Sequence, residues 1–190
     1  LKQVAHDRLQ AYPIQWLSSA PGRALQMNKG AGYASGNFIW FLHLDSRFSP
    51  RLIDRLLANL TLYPDHLHYC LLAFIMDGPA AMGVNSFGAN LRSLLLGVPF
   101  GDQGFLIKRE LFYKVGGYPE TAPYGEDHLF VWRAHHAGVR LCECHQPLLT
   151  SARKYRSRGW LRLTLNYQYL WMHQAWTEWR RGAIRPSDTN

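Results

Sequence analysis

Hydrophobic and polar positions fall into two kinds of segment along this chain. Phe38–Leu44 (FIWFLHL) is apolar except for His43. Such a run, rich in β-branched and aromatic residues, predicts a strand buried on both faces, as in parallel sheets flanked by helices. Pro50–Leu60 instead spaces Leu52, Ile53, Leu56, Leu57 and Leu60 as a helical stripe, which predicts an amphipathic helix. Before them, Tyr12–Leu17 reads as a short strand with Pro13 near its start. Ser18–Gly22 reads as a loop, and Arg23–Ser35 as a helix that Gly36 stops. Strand–helix–strand–helix alternation is the signature of an α/β fold.

The second half has a different rhythm. His68–Met76 predicts a strand, Asp77–Gly83 a loop, and Asn85–Leu96 a helix with Leu91, Leu94 and Leu95 on one side. Glycines bracket the loop Gly101-Asp102-Gln103-Gly104. Phe105–Lys108 follows as a short strand, and Glu110–Val115 as a short helix ended by Gly116-Gly117. The loop Tyr118–Gly125 delivers Glu126-Asp127 to the start of a helix over His128–Ala137. Val139–Cys142 predicts a last strand, and Leu161–Trp179 a long helix after a basic segment over 151–160. The chain opens inside a helix-like pattern, Leu1, Val4, Ala5 and Leu9, which reads as the start of a fragment.

Composition narrows the class. A chain of 190 residues, 47% apolar and 18% charged, is long enough for one folded core and is not that of a disordered protein. The expected organisation is one domain over 1–190. Residues 1–60, 61–150 and 151–190 divide it, the last a basic, Trp-rich segment. Cys70, Cys142 and Cys144 are an odd number and suit a reducing, cytoplasmic compartment. Cys142, Cys144 and His145 lie close together, but no second pair accompanies them, so packing is the reading preferred over a metal site. No apolar run approaches the ~20 residues of a membrane span.

The net charge of +8 belongs to the tail: residues 151–190 carry eight Lys/Arg against two acids. Phosphates, an anionic membrane surface and nucleic acid are the candidate partners. Nucleic acid is not expected, because no nucleic-acid motif appears and the basic residues are not spread through the chain. Trp160, Tyr167, Leu170, Trp171, Trp176 and Trp179, among Arg and Gln, suit either a membrane interface or packing on the domain.

Two acidic sites carry the candidate chemistry. Asp45 closes the Phe38–Leu44 run, where open α/β sheets bind ligands; a turn-capping role competes. Glu126-Asp127 opens a helix, where acids also stabilise the N-terminus through the helix dipole. His43, inside the predicted strand, reads as a core histidine.

Three blocks carry a family resemblance: GRALQMNKGAGYASGNFIWFLHLDS, GDQGFLIKRELFYKVGGYPE and GEDHLFVWRAHHAG. Their order and spacing, over roughly residues 13–160, resemble glycosyltransferase family 2, in the bacterial branch found beside radical-SAM and selenium-related genes. The resemblance implies an α/β, Rossmann-like fold of the GT-A type, with residues 1–60 the remainder of its nucleotide-binding half and 61–150 its acceptor half, lacking the family's opening strand–helix–strand, which carries contacts to the nucleotide base. It implies sugar transfer from a nucleotide-sugar donor to an acceptor hydroxyl, with inversion. Asp127 would be the base, with Glu126 beside it. Arg23, Asn28, Lys29, Asp45 and Arg47 would face the donor, and Arg153 and Arg156 would close over its diphosphate. Asp102 and Gln103 would line the acceptor pocket. Asp45 would bind Mg²⁺ or Mn²⁺, although Arg47 stands where the family motif has a second carboxylate. Arg47 would contact phosphate or lie on a solvated surface. The location implied is cytoplasmic, peripheral at the inner face of the membrane. The alternative is an inactive truncated module that binds or scaffolds.

Overall fold

The computed structural model describes residues 14–180. The helix-like pattern over residues 1–9 and the first two residues of the strand expected at Tyr12–Leu17 lie outside them. Residues 14–17 form no strand, and Ile14 and Trp16 are exposed.

Four strands form one mixed sheet: β1 (Phe38–Phe41), β2 (Leu67–Phe74), β3 (Phe105–Lys108) and β4 (Leu141–Thr150), in the order β1-β3-β2-β4. Seven helices are present among the described residues. They are α1 (Arg23–Tyr33), α2 (Pro50–Leu62), α3 (Met82–Leu96), α4 (Arg109–Val115), α5 (Glu126–His136), α6 (Arg153–Arg158) and α7 (Trp160–Arg180). The fold is α/β and compatible with a Rossmann-like arrangement. None of the described helices is long and apolar enough to cross a membrane.

Alternation along the strands divides the core between the two faces of the sheet. From β3, Phe105 and Ile107 point to one side and meet Ile39, Tyr69, Phe112, Tyr118 and Phe130. Leu106 points to the other side and joins Leu52, Leu56, Cys70, Cys144 and Leu148. Helix α2 is well determined locally. The Ser49 hydroxyl accepts from the Leu52 amide, Pro50 occupies the first turn, and Leu52 and Leu56 are buried against the sheet. Each of those leucines contributes about 1.5–3 kcal/mol of apolar burial.

Two expectations about strands are corrected. The predicted strand Phe38–Leu44 stops at Phe41 and is not a doubly buried parallel strand. It pairs antiparallel with β3, only Ile39 is fully buried, and Leu44 is wholly exposed. β4 is longer than Val139–Cys142. It runs parallel to β2 through an irregularity: Tyr69 pairs with Glu143, but Leu71 pairs with Pro147. His145 sits there at φ 54, so a segment containing Pro147 still belongs to the strand. Of the Cys142/Cys144/His145 group, Cys144 packs in the core, while His145 sits exposed beside the Glu143 carboxylate.

Helix α3 also departs from the simple stripe. It buries Met82, Ala89, Arg92 and Ser93, while Leu91, Leu94 and Leu95 face outward.

Candidate active site

The strand pairing gathers several loops at one end of the sheet. Phe41 pairs with Phe105 and Phe74 with Thr150. The carboxyl ends of β1, β2 and β4 therefore meet the start of β3, where α/β sheets hold their ligands. A cavity of about 270 Å³ opens there. Its walls bring together Arg23, His43, Asp45, Arg92, Asp102, Glu126, Asp127, His128, Lys154, Tyr155 and Trp171, with the inner faces of α3 and α7.

Asp127 is held rigidly. Its Oδ2 accepts from the Gly101 amide at 2.7 Å and its Oδ1 from the His128 amide at 2.9 Å. A carboxylate offers about four lone-pair sites, so two backbone bonds leave acceptor capacity for a group in the cavity. Glycine is required on both sides of this carboxylate. A Cβ on Gly101 would lie 2.9 Å from Asp127 Oδ2. Gly125, at φ +64, would press a Cβ to 2.3 Å from Gln174 Oε1.

Asp102 lies opposite. Its Oδ1 is shut off from solvent and has no hydrogen-bond partner. Burial, followed by the charge of Asp127, raises its pKa above the ordinary carboxylate value. Glu126 is nearly buried, and its Oε1 stands 3.0 Å from Arg23 Nε. That oxygen has no aligned hydrogen bond, so the contact is an ion pair by distance only.

Three cations face these acids. Arg23 Nη2 lies 2.9 Å from His43 Nε2. Because a guanidinium only donates, Nε2 must be the bare nitrogen of a neutral ring. Burial first, then Arg23, lowers the pKa of His43. Arg92 is buried, stacked 3.5 Å above the Phe100 ring, with Nη2 unpartnered. Burial lowers its pKa to about 10, so it remains a cation at neutral pH. Lys154 reaches the wall from α6.

His128 is locked between two elements. The Trp132 indole donates to its Nε2 at 2.9 Å, so Nδ1 carries the proton and donates to Gln174 Oε1 at 2.6 Å. Gln174 Nε2 in turn donates to the Tyr124 carbonyl. This chain ties α7 to the start of α5 and closes one wall of the cavity.

The expected site residues are only partly assembled. Arg23, Asp45, Asp102, Glu126 and Asp127 converge. Arg47 and Arg153 line a second cavity with Asp77 instead; it shares Asp45 and Ser151 with the first. Gln103 points inward: its side chain accepts from Ser93 Oγ and the Phe100 amide and donates to the Cys70 carbonyl. It is a structural strut, not an acceptor contact. Asn28 binds the Tyr118 backbone and Glu120, and Lys29 binds the Ser18 carbonyl; neither lines a cavity. Arg156 is exposed on α6 and lines neither cavity. His43, expected in a strand core, lies beyond the strand end in the cavity wall. Arg92, His128, Lys154 and Trp171 complete the wall, and the sequence pattern alone does not mark them as site residues. An arginine on the inner side of an otherwise apolar helix was the one signal that could have found Arg92.

Asp45 sits in a turn, not on a strand, and Ser46 N donates to the His43 carbonyl there. No group of three or more His, Cys, Asp or Glu side chains among the described residues is arranged to hold a metal ion. Asp77 shares the second cavity with Asp45, but its two oxygens accept from Ser151 Oγ and the Ala152 amide, so any cation there would be held mainly by substrate oxygens.

A scan against protein-family models matches none of them. A search of curated proteins finds no match either.

Proposed function

We propose that this chain is a glycosyltransferase of the GT-A type, related to family 2, that moves a sugar from a nucleotide-sugar to an acceptor hydroxyl with inversion. The observation that carries this reading is the pair of cavities sharing Asp45 and Ser151. A transferase must hold two substrates side by side, and the two cavities differ in the way the two substrates do. The one with Arg47 and Arg153 suits a donor diphosphate. The one with Asp102 and Asp127 suits a hydroxyl-bearing acceptor.

In this reading Asp127 takes the proton from the attacking hydroxyl. Its two backbone bonds fix its direction, and its free lone pairs face the cavity. Arg47 and Arg153 offset the charge that grows on the departing phosphate. Asp102, with its raised pKa, is suited to hydrogen bonding with an acceptor hydroxyl. Mg²⁺ or Mn²⁺, when bound beside Asp45, would neutralise diphosphate charge.

The test is turnover of a panel of uridine and guanosine diphosphate-sugars, with simple sugars and lipid-linked hydroxyls as acceptors, for the unsubstituted chain and for Asp127→Asn. Donor-dependent release of nucleoside diphosphate that Asp127→Asn abolishes supports the reading. Donor binding without turnover under all conditions would favour an inactive binding module.

A further inference from the structure

We propose that α3 and α7 together form a docking face for an anionic lipid bilayer surface, on the back of the two helices that wall the cavity. The two helices lie side by side and run the same way. Asn85 Nδ2 donates to Thr164 Oγ1 at 3.0 Å. Seven residues further along each helix, the Arg92 guanidinium stands 5.5 Å from the centre of the Trp171 ring.

With this pairing fixed, helical periodicity orients the remaining residues. On α3, Val84, Phe87, Leu91, Leu94 and Leu95 occupy the arc facing away from the buried Ala89 and Ser93, and Ser93 Oγ donates to Gln103 Oε1 beneath the helix. On α7, Leu161, Leu165, Tyr169, Met172 and Trp176 occupy the arc next to the α3-facing side and opposite Leu163 and Leu170. For parallel helices, these two arcs lie on the same side of the pair. Phe87 is 68% exposed, Leu95 72% and Trp176 52%. The Trp-rich helix therefore has two roles. Tyr167 and Trp171 face the cavity, while Trp176 and Trp179 face outward.

Charge selects the occupant. Arg162 and Arg180 border the apolar arc on α7, and the Arg180 guanidinium lies 4.7 Å from the centre of the Trp176 ring. Arg156 and Arg158 are exposed on the adjoining α6. α3 and α6 contain no Asp or Glu, and the one acid of α7, Glu178, is buried. A second copy of this chain would oppose this basic rim with another. An anionic bilayer offers acyl chains to the apolar arc, headgroup phosphates to the arginines, and an interface favoured by Trp and Tyr.

The test uses the full chain with vesicles of phosphatidylcholine, with or without about 30 mol% phosphatidylglycerol. Expected are co-sedimentation with the anionic vesicles, a blue shift of tryptophan emission, and quenching by brominated acyl chains. F87S/L91S and L165S/W176S should each weaken partitioning about tenfold or more, with the circular dichroism spectrum unchanged. No partitioning of the unsubstituted chain would overturn the proposal. So would binding without acyl-chain quenching that neither pair weakens, since charge alone would then account for it. A dimer in sedimentation that both pairs abolish, without vesicle binding, would reassign the face to a contact between copies. The quenching result on the unsubstituted chain decides the matter even if a variant misfolds.

Discussion

The Gly101 amide donates to Asp127 Oδ2 at 2.7 Å, across 26 residues of sequence. This bond joins the glycine-bracketed loop before β3 to the start of α5. It fixes one oxygen of the candidate base by backbone, which cannot change rotamer as a side chain can.

Replacing Asp127 by Asn keeps an oxygen for the Gly101 amide but removes the basic carboxylate. Turnover should fall about 10²–10⁴-fold, with the donor dissociation constant nearly unchanged. Steady-state kinetics and calorimetric donor titration check both halves. Near-normal turnover would remove Asp127 from the chemistry.

Gly101→Ala tests the same contact from the other side. The added Cβ would sit 2.9 Å from Asp127 Oδ2 and 3.1 Å from its Cβ, so the carboxylate must move. Expected are a stability loss of about 1–3 kcal/mol and a drop in turnover. Combined with Asp127→Asn, the losses in turnover should be less than additive, because both changes act on one carboxylate. Strict additivity would mean that the contact does not position the base.

Gln103→Leu should damage stability rather than chemistry. The substitution strands the Phe100 amide and the Cys70 carbonyl in a dry interior, at about 1–3 kcal/mol for each unsatisfied group. Urea unfolding measures the loss. An unchanged midpoint would show that the strut is dispensable.

Acid should weaken the fold through buried histidines. Burial lowers the pKa of His68 to about 4, and its Nε2 donates to the Tyr63 carbonyl at 2.9 Å. Burial lowers that of His128 as well. Above about pH 6.5 both rings are neutral, folded or unfolded. Below it the unfolded chain takes up protons that the folded chain refuses, so stability falls as pH drops from about 6.5 towards 4. Each ring steepens that fall by up to about 1.4 kcal/mol per pH unit. His68→Leu should flatten the slope of the urea midpoint between pH 7 and 5, and an unchanged slope would contradict the assignment.

Arg47→Asp would place a second carboxylate two residues from Asp45, and both residues line the second cavity. Mn²⁺ affinity without nucleotide should rise about tenfold or more, since divalent affinity follows the number and charge of oxygen ligands. Equilibrium dialysis of both forms, with and without nucleoside diphosphate, reads it. Equal affinities would move the cation site away from Asp45.

The sequence by itself determined where most of the helices and strands fall and their order. Ser49 and Pro50 start α2, helical spacing marks α3 and α7, and Gly116-Gly117 and Gly138 end their helices, because caps and periodicity act within a few residues. It also located Asp127 at a helix start and Asp45 beyond a strand. Tertiary structure alone decided what those faces meet. A short apolar run specifies a buried strand but not the direction of its partner, so β1 pairing antiparallel with β3 was not readable. A stripe specifies which leucines share a side, not whether that side is covered, and so Leu91 and Leu95 stay exposed on α3. Gln103 went inward and Arg92 into the cavity wall because their partners, Cys70 and Phe100, reach them only once β2, β3 and α3 have packed together.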